Sequence, residues 1–382
     1  MSAYINDDSP EVEGVQLTFY SELGLKIEGF MGDAPEGFYV YRLPGGNQLF
    51  DSFDEVQSQI NLDSMRLIDL ITERLFGDSS VYYSLLQQAP VGLIEGGLNP
   101  DLSLDRDIFV SIANRYSFEE AYKLVYLQDF SYLIDGFVET YFQAIESLRM
   151  AFYLMVSINP IGVSSDGVYC ITSSESRGTM REMESFVIRM YSALDMLSRI
   201  LFELQHVPCH FASFRKIPLD KSTLYSSYRR RSPHAHDEGH IFNSSSSTLY
   251  LEDLRNEIVH NRALENTATC FVQLEEGAVK ERFFYLPDSD NAGRMMKWKG
   301  RCRFYSQEKK ANLCLPELYR DISIRIARSL RCAIEELTDE VGGGRRKSDE
   351  RSDVDIACAI ERVTRLAIGC RQVVIPKQGD SL

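Results

Sequence analysis

The sequence predicts a mainly α-helical protein with a small mixed α+β region at its N-terminus and a β-hairpin inserted late in the chain. Three observations carry that expectation. Two long segments, 117–157 and 179–206, place apolar residues at helical spacing, and a third amphipathic segment opens at Pro316. Strand-like composition is concentrated before about residue 50 and around 270–286. The 382 residues leave room for more than one domain, and a 44% hydrophobic content supports a sizeable core. The spacing divides the chain into 1–112, a small α+β domain; 113–340, a helical domain; and 341–382, a linker with a short C-terminal helix. The helical domain carries a loop insertion at 207–248 and a strand-rich insertion at 267–306.

The N-terminal stretches "GVQLTFYSELGLKIEGF" and "GFYVYRLPGGNQLF" have strand composition, with Pro-Gly-Gly as turn material. "LDSMRLIDLITERLF" then spaces Met65, Leu67, Ile68, Leu70, Ile71 and Leu75 along one face of a short helix, with Asp63 or Ser64 as its cap. Ser117 and Glu120 form the signature of a capping box for the next helix. That helix is aromatic-rich and apolar on more than one side, as expected of a central buried helix or a broken pair. "NPIGVSSDGVYCITSSESRG" reads as a loop. The segment from Thr179 has the cleanest period of all, through Met183, Phe186, Val187, Met190, Tyr191, Leu194, Leu197, Leu201 and Leu204. After the polar excursion of 207–248, "LEDLRNEIVHNRAL" opens another helix, whose buried stripe is Leu251, Leu254, Ile258 and Val259. "TCFVQLEEGAVKERFFYL" reads as a hairpin with Glu-Gly in the turn, "WKGRCRFYS" as a candidate strand, and Pro316 as the first position of the last long helix.

A net charge of −15 argues against a protein that coats nucleic acid through overall charge, but leaves room for a local basic cleft. The N-terminus lacks the apolar core of a signal peptide, and no apolar run is long enough to span a bilayer. Eight scattered cysteines without a CxxC suit reduced thiols, so the expected compartment is the cytoplasm. No Gly-rich phosphate loop and no GxSxG appears. His206, Cys209 and His210, like His234, His236 and His240, have zinc-type side chains, yet their spacing matches no closed finger. No metal and no cofactor is therefore expected.

The chemistry concentrates at 255–260. Asn256 and His260 are four apart and share a helix face, and Arg255 lies beside that face with a side chain long enough to reach it. Those three groups suit cleavage of an RNA phosphodiester. His260 can take the 2′-hydroxyl proton or give one to the leaving oxygen, Arg255 can hold the charge that grows on the phosphate, and Asn256 can orient substrate or imidazole. The bland alternative is a solvated face on which Arg255 pairs with Asp253 or Glu257. "YRRRSPHAH" concentrates Tyr228, Arg229, Arg230 and Arg231 just upstream, which suits either an RNA-gripping loop or an exposed charged loop with no partner. "RMMKWKGRCRF" repeats the pattern around Trp298, for which core packing is the expectation.

The string "RNEIVH" resembles the Arg-polar-x-x-x-His signature of the HEPN superfamily, all-helical nucleases and their inactive relatives. The resemblance covers roughly 117–340, and departs from a minimal bundle in the long insertion before the motif and the strand-rich segment after it. It implies a HEPN-like helical bundle and metal-independent endoribonuclease activity leaving a 2′,3′-cyclic phosphate. It also implies a homodimer in which two Arg255/His260 helices face one another. A role in toxin–antitoxin or anti-phage defence follows from the same resemblance, with an antitoxin or regulatory protein as a further partner. In the family an acidic or polar residue on an earlier helix often positions the arginine; Glu184 and Asp195 are the candidates, and each equally suits the solvated edge of its helix. The rival reading is a non-catalytic HEPN-like module that binds RNA, a nucleotide or a protein.

Overall fold

The structure is a computed structural model that describes residues 16–20, 26–30, 48–98, 104–162, 165–215, 217, 223–261, 263–265 and 267–342. In order the elements are β1 (Gln16–Tyr20), β2 (Lys26–Phe30), α1 (Gln48–Phe76), α2 (Ser79–Gln88), α3 (Val91–Ile94), α4 (Arg106–Arg115) and α5 (Glu119–Val156). There follow β3 (Gly167–Ile171), α6 (Ser174–Leu204), the single turn α7 (Tyr225–Tyr228), α8 (Ser246–His260), β4 (Cys270–Glu275), β5 (Ala278–Phe283) and α9 (Ala311–Gly342). The protein is mainly helical, with an antiparallel pair β1–β2 and an antiparallel sheet in the order β3-β4-β5. Among the described residues no helix is long and apolar enough to cross a membrane.

Several helix starts differ from the sequence expectation, each for a local reason. α1 begins at Gln48, so Asp63 and Ser64 lie inside it, both buried, and cap nothing. α5 begins at Glu119, with the Phe118 carbonyl accepting from Tyr122 N–H, one residue too late for a Ser117 capping box. It runs unbroken for 38 residues, which settles the choice between one helix and a broken pair. α6 begins at Ser174, five residues before Thr179, because Ser173 caps it by accepting from Ser176 N–H. α9 begins at Ala311, which places Pro316 inside the helix rather than at its first position. The stretch read as a loop after α5 contains β3, whose Tyr169 lies opposite Val272. Its short length and mixed burial leave almost no periodic signal.

The hairpin is as expected. Glu276 and Gly277 both have positive φ, 52° and 76°, which a two-residue primed turn requires. Cys270, Val272 and Leu274 alternate into the core. "WKGRCRFYS" forms no strand; its residues make an isolated bridge between Trp298 and Arg301. The segments "GFYVYRLPGG" and 343–382, including the expected C-terminal helix, lie outside the described residues.

The described chain clusters into two compact units. One draws on the chain up to Leu67, on Ser131–Val207 and on Pro218–Ala333, and it contains α6, α8 and the three-stranded sheet. Its core includes Phe137, Tyr141, Phe186, Leu194, Leu251 and Tyr319, each essentially without exposure. The polar tips in that core are paired: Tyr141 donates to Ser323 Oγ at 2.8 Å and Gln57 donates to the Tyr319 hydroxyl at 3.0 Å. The other unit draws on Ile68–Phe130, Pro208–Ile217 and the chain from Ile334, and includes α2, α3 and α4. There Tyr126 meets Phe211 edge-on, with centroids 5.2 Å apart. The boundary expected at 112 falls inside α4.

Candidate functional site

α8 is fixed from its first residue. Ser245 accepts from Thr248 N–H at 3.2 Å while Thr248 Oγ1 accepts from Ser245 N–H at 2.9 Å, a reciprocal capping box. Leu251 and Leu254 are fully buried beneath it, and Tyr250 donates to the Pro287 carbonyl at 2.6 Å. The buried stripe turns away from expectation toward the C-terminus, where Ile258 is half-buried and Val259 is 46% exposed. Its place is taken by Glu252, Asp253 and Glu257.

Those three acids are held by arginines from elsewhere in the chain. Arg229 reaches Glu252 at 2.9 Å, Arg294 reaches Glu252 at 2.9 Å and Asp253 at 2.8 Å, and Arg303 reaches Glu257 at 3.0 Å. Burial alone would push the Glu257 carboxyl up, but hydrogen bonds from Asn261, Cys302 and Arg303 outweigh it and hold the group below its ordinary value. Arg303 also donates to the carbonyls of Ala263 and Leu264, so one guanidinium fixes both the helix end and the chain leaving it.

The neighbouring flank is different. Arg255 Nη1 donates to Asn256 Oδ1 at 3.1 Å and lies 3.2 Å from His260 Nε2. A guanidinium only donates, so Nε2 is the acceptor in that contact. The guanidinium rests over the Tyr191 ring at 5.3 Å from its centroid. Arg255, Asn256 and His260 thus come together as the spacing implies, on the last two turns of α8, with His260 exposed to solvent. Arg255 pairs with neither Asp253 nor Glu257, because both are engaged by other cations.

Tyr191 and Asp195 lie one turn apart on α6, the helix packed against α8. Asp195 accepts from Tyr225 N–H at 2.8 Å. Burial raises its carboxyl above the ordinary value, while the Tyr225 bond and the charges of Arg255 and Arg199 pull it back. Glu184, earlier on α6, accepts from Leu264 N–H at 2.6 Å and is also raised by burial, with the Arg303 charge opposing. Early α6 therefore meets the chain leaving α8 and late α6 meets Arg255, so the two helices run antiparallel. Of the two candidates for positioning Arg255, Asp195 is beside it and Glu184 is at the helix exit.

The loop insertion departs from the RNA-gripping expectation. Tyr228 is buried, donating to Gln205 Oε1 at 2.8 Å, and Arg229 is 3% exposed in its ion pair with Glu252. Neither can reach an RNA. Arg230 and Arg231 are exposed. The loop is packed because Tyr225, Tyr228 and Phe242 fill the space beside α6, with Tyr225 edge-on to Tyr191 at 5.8 Å and Tyr228 edge-on to Phe242 at 5.1 Å. Trp298, expected in the core, is 58% exposed.

No family model, no curated protein and no solved structure matches this chain. The site is therefore read from its own geometry. Sequence reasoning missed Tyr191 as the platform for Arg255 and the clamped acids of α8. The first had a signal, since Tyr191 and Asp195 are four apart on the helix with the strongest period. The second had a weaker one: Glu252, Asp253 and Glu257 lie too close together to be solvated independently, but their arginines are 23 to 46 positions away.

Proposed function

We propose that the protein is a metal-independent endoribonuclease of HEPN type whose reacting groups are Arg255, Asn256 and His260. The observation that carries this reading is the 3.2 Å approach of Arg255 Nη1 to His260 Nε2 on an exposed helix end, with Asn256 on the same guanidinium. A phosphate arriving at Arg255 would take over that donor and release Nε2 to act as a base. The base removes the 2′-hydroxyl proton, the 2′-oxygen bonds to phosphorus, and the bond to the 5′-oxygen breaks. The 5′-oxygen needs a proton in return, and one imidazole cannot both keep and deliver it in a single displacement. Two copies facing across α8 would supply the partner's His260 as the acid. Exposed Val259, between Arg255 and Asn256 around the helix, gives such a pairing an apolar contact. Asp195 and Tyr191 position the arginine.

The test is cleavage of a transfer-RNA pool in EDTA by the parent, Arg255→Ala and His260→Ala proteins, with end-group analysis. The expected result is cleavage that survives chelation, leaves cyclic phosphate and 5′-hydroxyl ends, and disappears in both variants. RNA bound but left intact by a folded, dimeric parent would overturn the nuclease in favour of a binding module.

A further inference from the structure

The polar flank of α8 carries a projection that the reaction above does not use. Arg294 is fixed on Glu252 and Asp253 and Arg303 on Glu257. Asp253 and Glu257 are one turn apart, about 6 Å along the axis. Met295 is buried with its N–H on Asp253 and Cys302 bonds Glu257, so the exposed residues 296–301 stand out between them as a short finger. Its tip is a tight turn: Trp298 and Arg301 exchange both backbone hydrogen bonds, at 2.8 and 3.0 Å, and Lys299 is held at φ 53°, a conformation L-residues avoid. The finger is thus fixed in shape at both base and tip.

What it displays is unusual for a surface. Trp298, the one tryptophan of the chain, is 58% exposed, and Met296 beside it is 43% exposed. The Lys299 ammonium lies 4.9 Å and the Arg301 guanidinium 6.0 Å from the indole, so both cations face the ring rather than a carboxylate. Lys297 is 57% exposed and only loosely set against Asp253, at 3.9 Å. In a chain of net charge −15 this is a local concentration of positive charge around a largely exposed indole.

We propose that the Trp298–Arg301 turn is a stacking platform for an unpaired base of single-stranded RNA, with Lys297, Lys299 and Arg301 holding the flanking phosphates. An aromatic face among cations is what sequence-tolerant binding of single strands requires, because every base offers a π-face and every nucleotide a phosphate. A duplex hides its base faces in its own stack and cannot use the indole. The acids that anchor the platform neighbour the reacting groups on the helix surface: Glu252 to Asn256 and Glu257 to His260 are steps of four and three. The platform gives the proposed ribonuclease its substrate class, unpaired RNA, and in that respect rests on the ribonuclease reading.

Because Trp298 is the sole tryptophan, its fluorescence reports on the platform directly. The full chain is titrated with a short 2′-O-methyl oligouridylate, which lacks the 2′-hydroxyl needed for cleavage, and with the same strand in duplex with oligoadenylate. The expected result is saturable quenching by the single strand and little by the duplex. In parallel, anisotropy of the labelled single strand should show affinity weakened at least about fivefold in Trp298→Ala and largely restored in Trp298→Phe. The slope of log affinity against log salt should fall by roughly 0.7 for each phosphate that Lys299→Ala or Arg301→Ala leaves unbound. Trp298 is exposed, so these variants should melt with the parent. Unchanged fluorescence and unchanged affinity in Trp298→Ala overturn the platform, as does a tryptophan signal that changes with protein concentration alone, which assigns the face to a second copy. Quenching without cleavage of ordinary RNA by the parent keeps the platform and discards the nuclease. Cleavage with unchanged KM in Trp298→Ala does the reverse.

Discussion

One helix, α8, presents two flanks that treat arginine in opposite ways. On the first, Glu252, Asp253 and Glu257 are buried and hold Arg229, Arg294 and Arg303. In the Arg229–Glu252 pair both side chains are under 10% exposed, at 4% and 9%. On the second, Arg255 meets Asn256, His260 and the Tyr191 ring, with a solvent-facing imidazole. A buried ion pair has already used its charge: the pairing offsets the desolvation of both ions and leaves little for a ligand. An arginine held by a ring and an amide keeps its donors for an incoming anion at little desolvation cost. Four arginines that look alike in the sequence thus divide into three that carboxylates hold and one that rests on a ring, an amide and an imidazole.

The comparison breaks most visibly if the two flanks respond alike to truncation. His260→Ala should lower cleavage by about 10²–10⁴-fold, the usual range for removal of an acid–base group, with the melting temperature unchanged because the side chain is exposed. Arg255→Ala should lose comparable activity and at most about 1 kcal/mol of stability from its ring contact. Glu252→Ala should do the opposite and destabilise the fold by about 3–5 kcal/mol in denaturant titration, since it strands the buried Arg229 and leaves Arg294 only Asp253. A stable Glu252→Ala protein, or an unfolded His260→Ala protein, would show that the flanks are not divided in this way. A smaller effect follows at the base of the finger. Gly293 has φ 91°, and a Cβ there would meet the Ser246 carbonyl oxygen at 2.1 Å. Gly293→Ala should cost about 1–3 kcal/mol and loosen the insertion from α8 while leaving α8 itself capped.

Legibility in the sequence followed the range of the interaction. The period of Met183 to Leu204 gave α6 and its buried face residue by residue, because a helix repeats its environment every turn. Asn256 and His260 were placed on one face by the same rule, and Arg255 was reached from it by side-chain length. Glu276-Gly277 marked its turn because only a few residue types tolerate positive φ in sequence there. What could not be read depends on residues far apart. Arg229 is held by Glu252, 23 positions on, which no local pattern shows, and Trp298 stands in solvent although large aromatics are usually buried. The starts of α1 and α9 were missed since tertiary packing carries each helix past a residue, Asp63 or Pro316, that locally favours an end.

The flanks also differ in pH response, which gives the smallest and sharpest of these tests. Glu257 lies below its ordinary value in the folded state, so its contribution is complete above the unfolded carboxylate range and is lost as pH falls through the lowered value. Asp195 lies above its ordinary value, chiefly through burial, so ionising it costs stability, a cost absent in acid and growing as pH rises through the raised value. Acid titration of the parent should therefore mix a loss from Glu257 with a partial relief from Asp195. Asp195→Asn keeps an acceptor for Tyr225 N–H and removes the buried charge, so it should be as stable as the parent in acid and equally or more stable at neutral pH. It also deprives Arg255 of its nearby negative charge. If Asp195 positions that arginine, cleavage should fall several-fold through KM while the melting curve holds or improves. If activity instead follows stability, Asp195 serves the packing of Tyr225 alone, and the ring of Tyr191 is what aims Arg255.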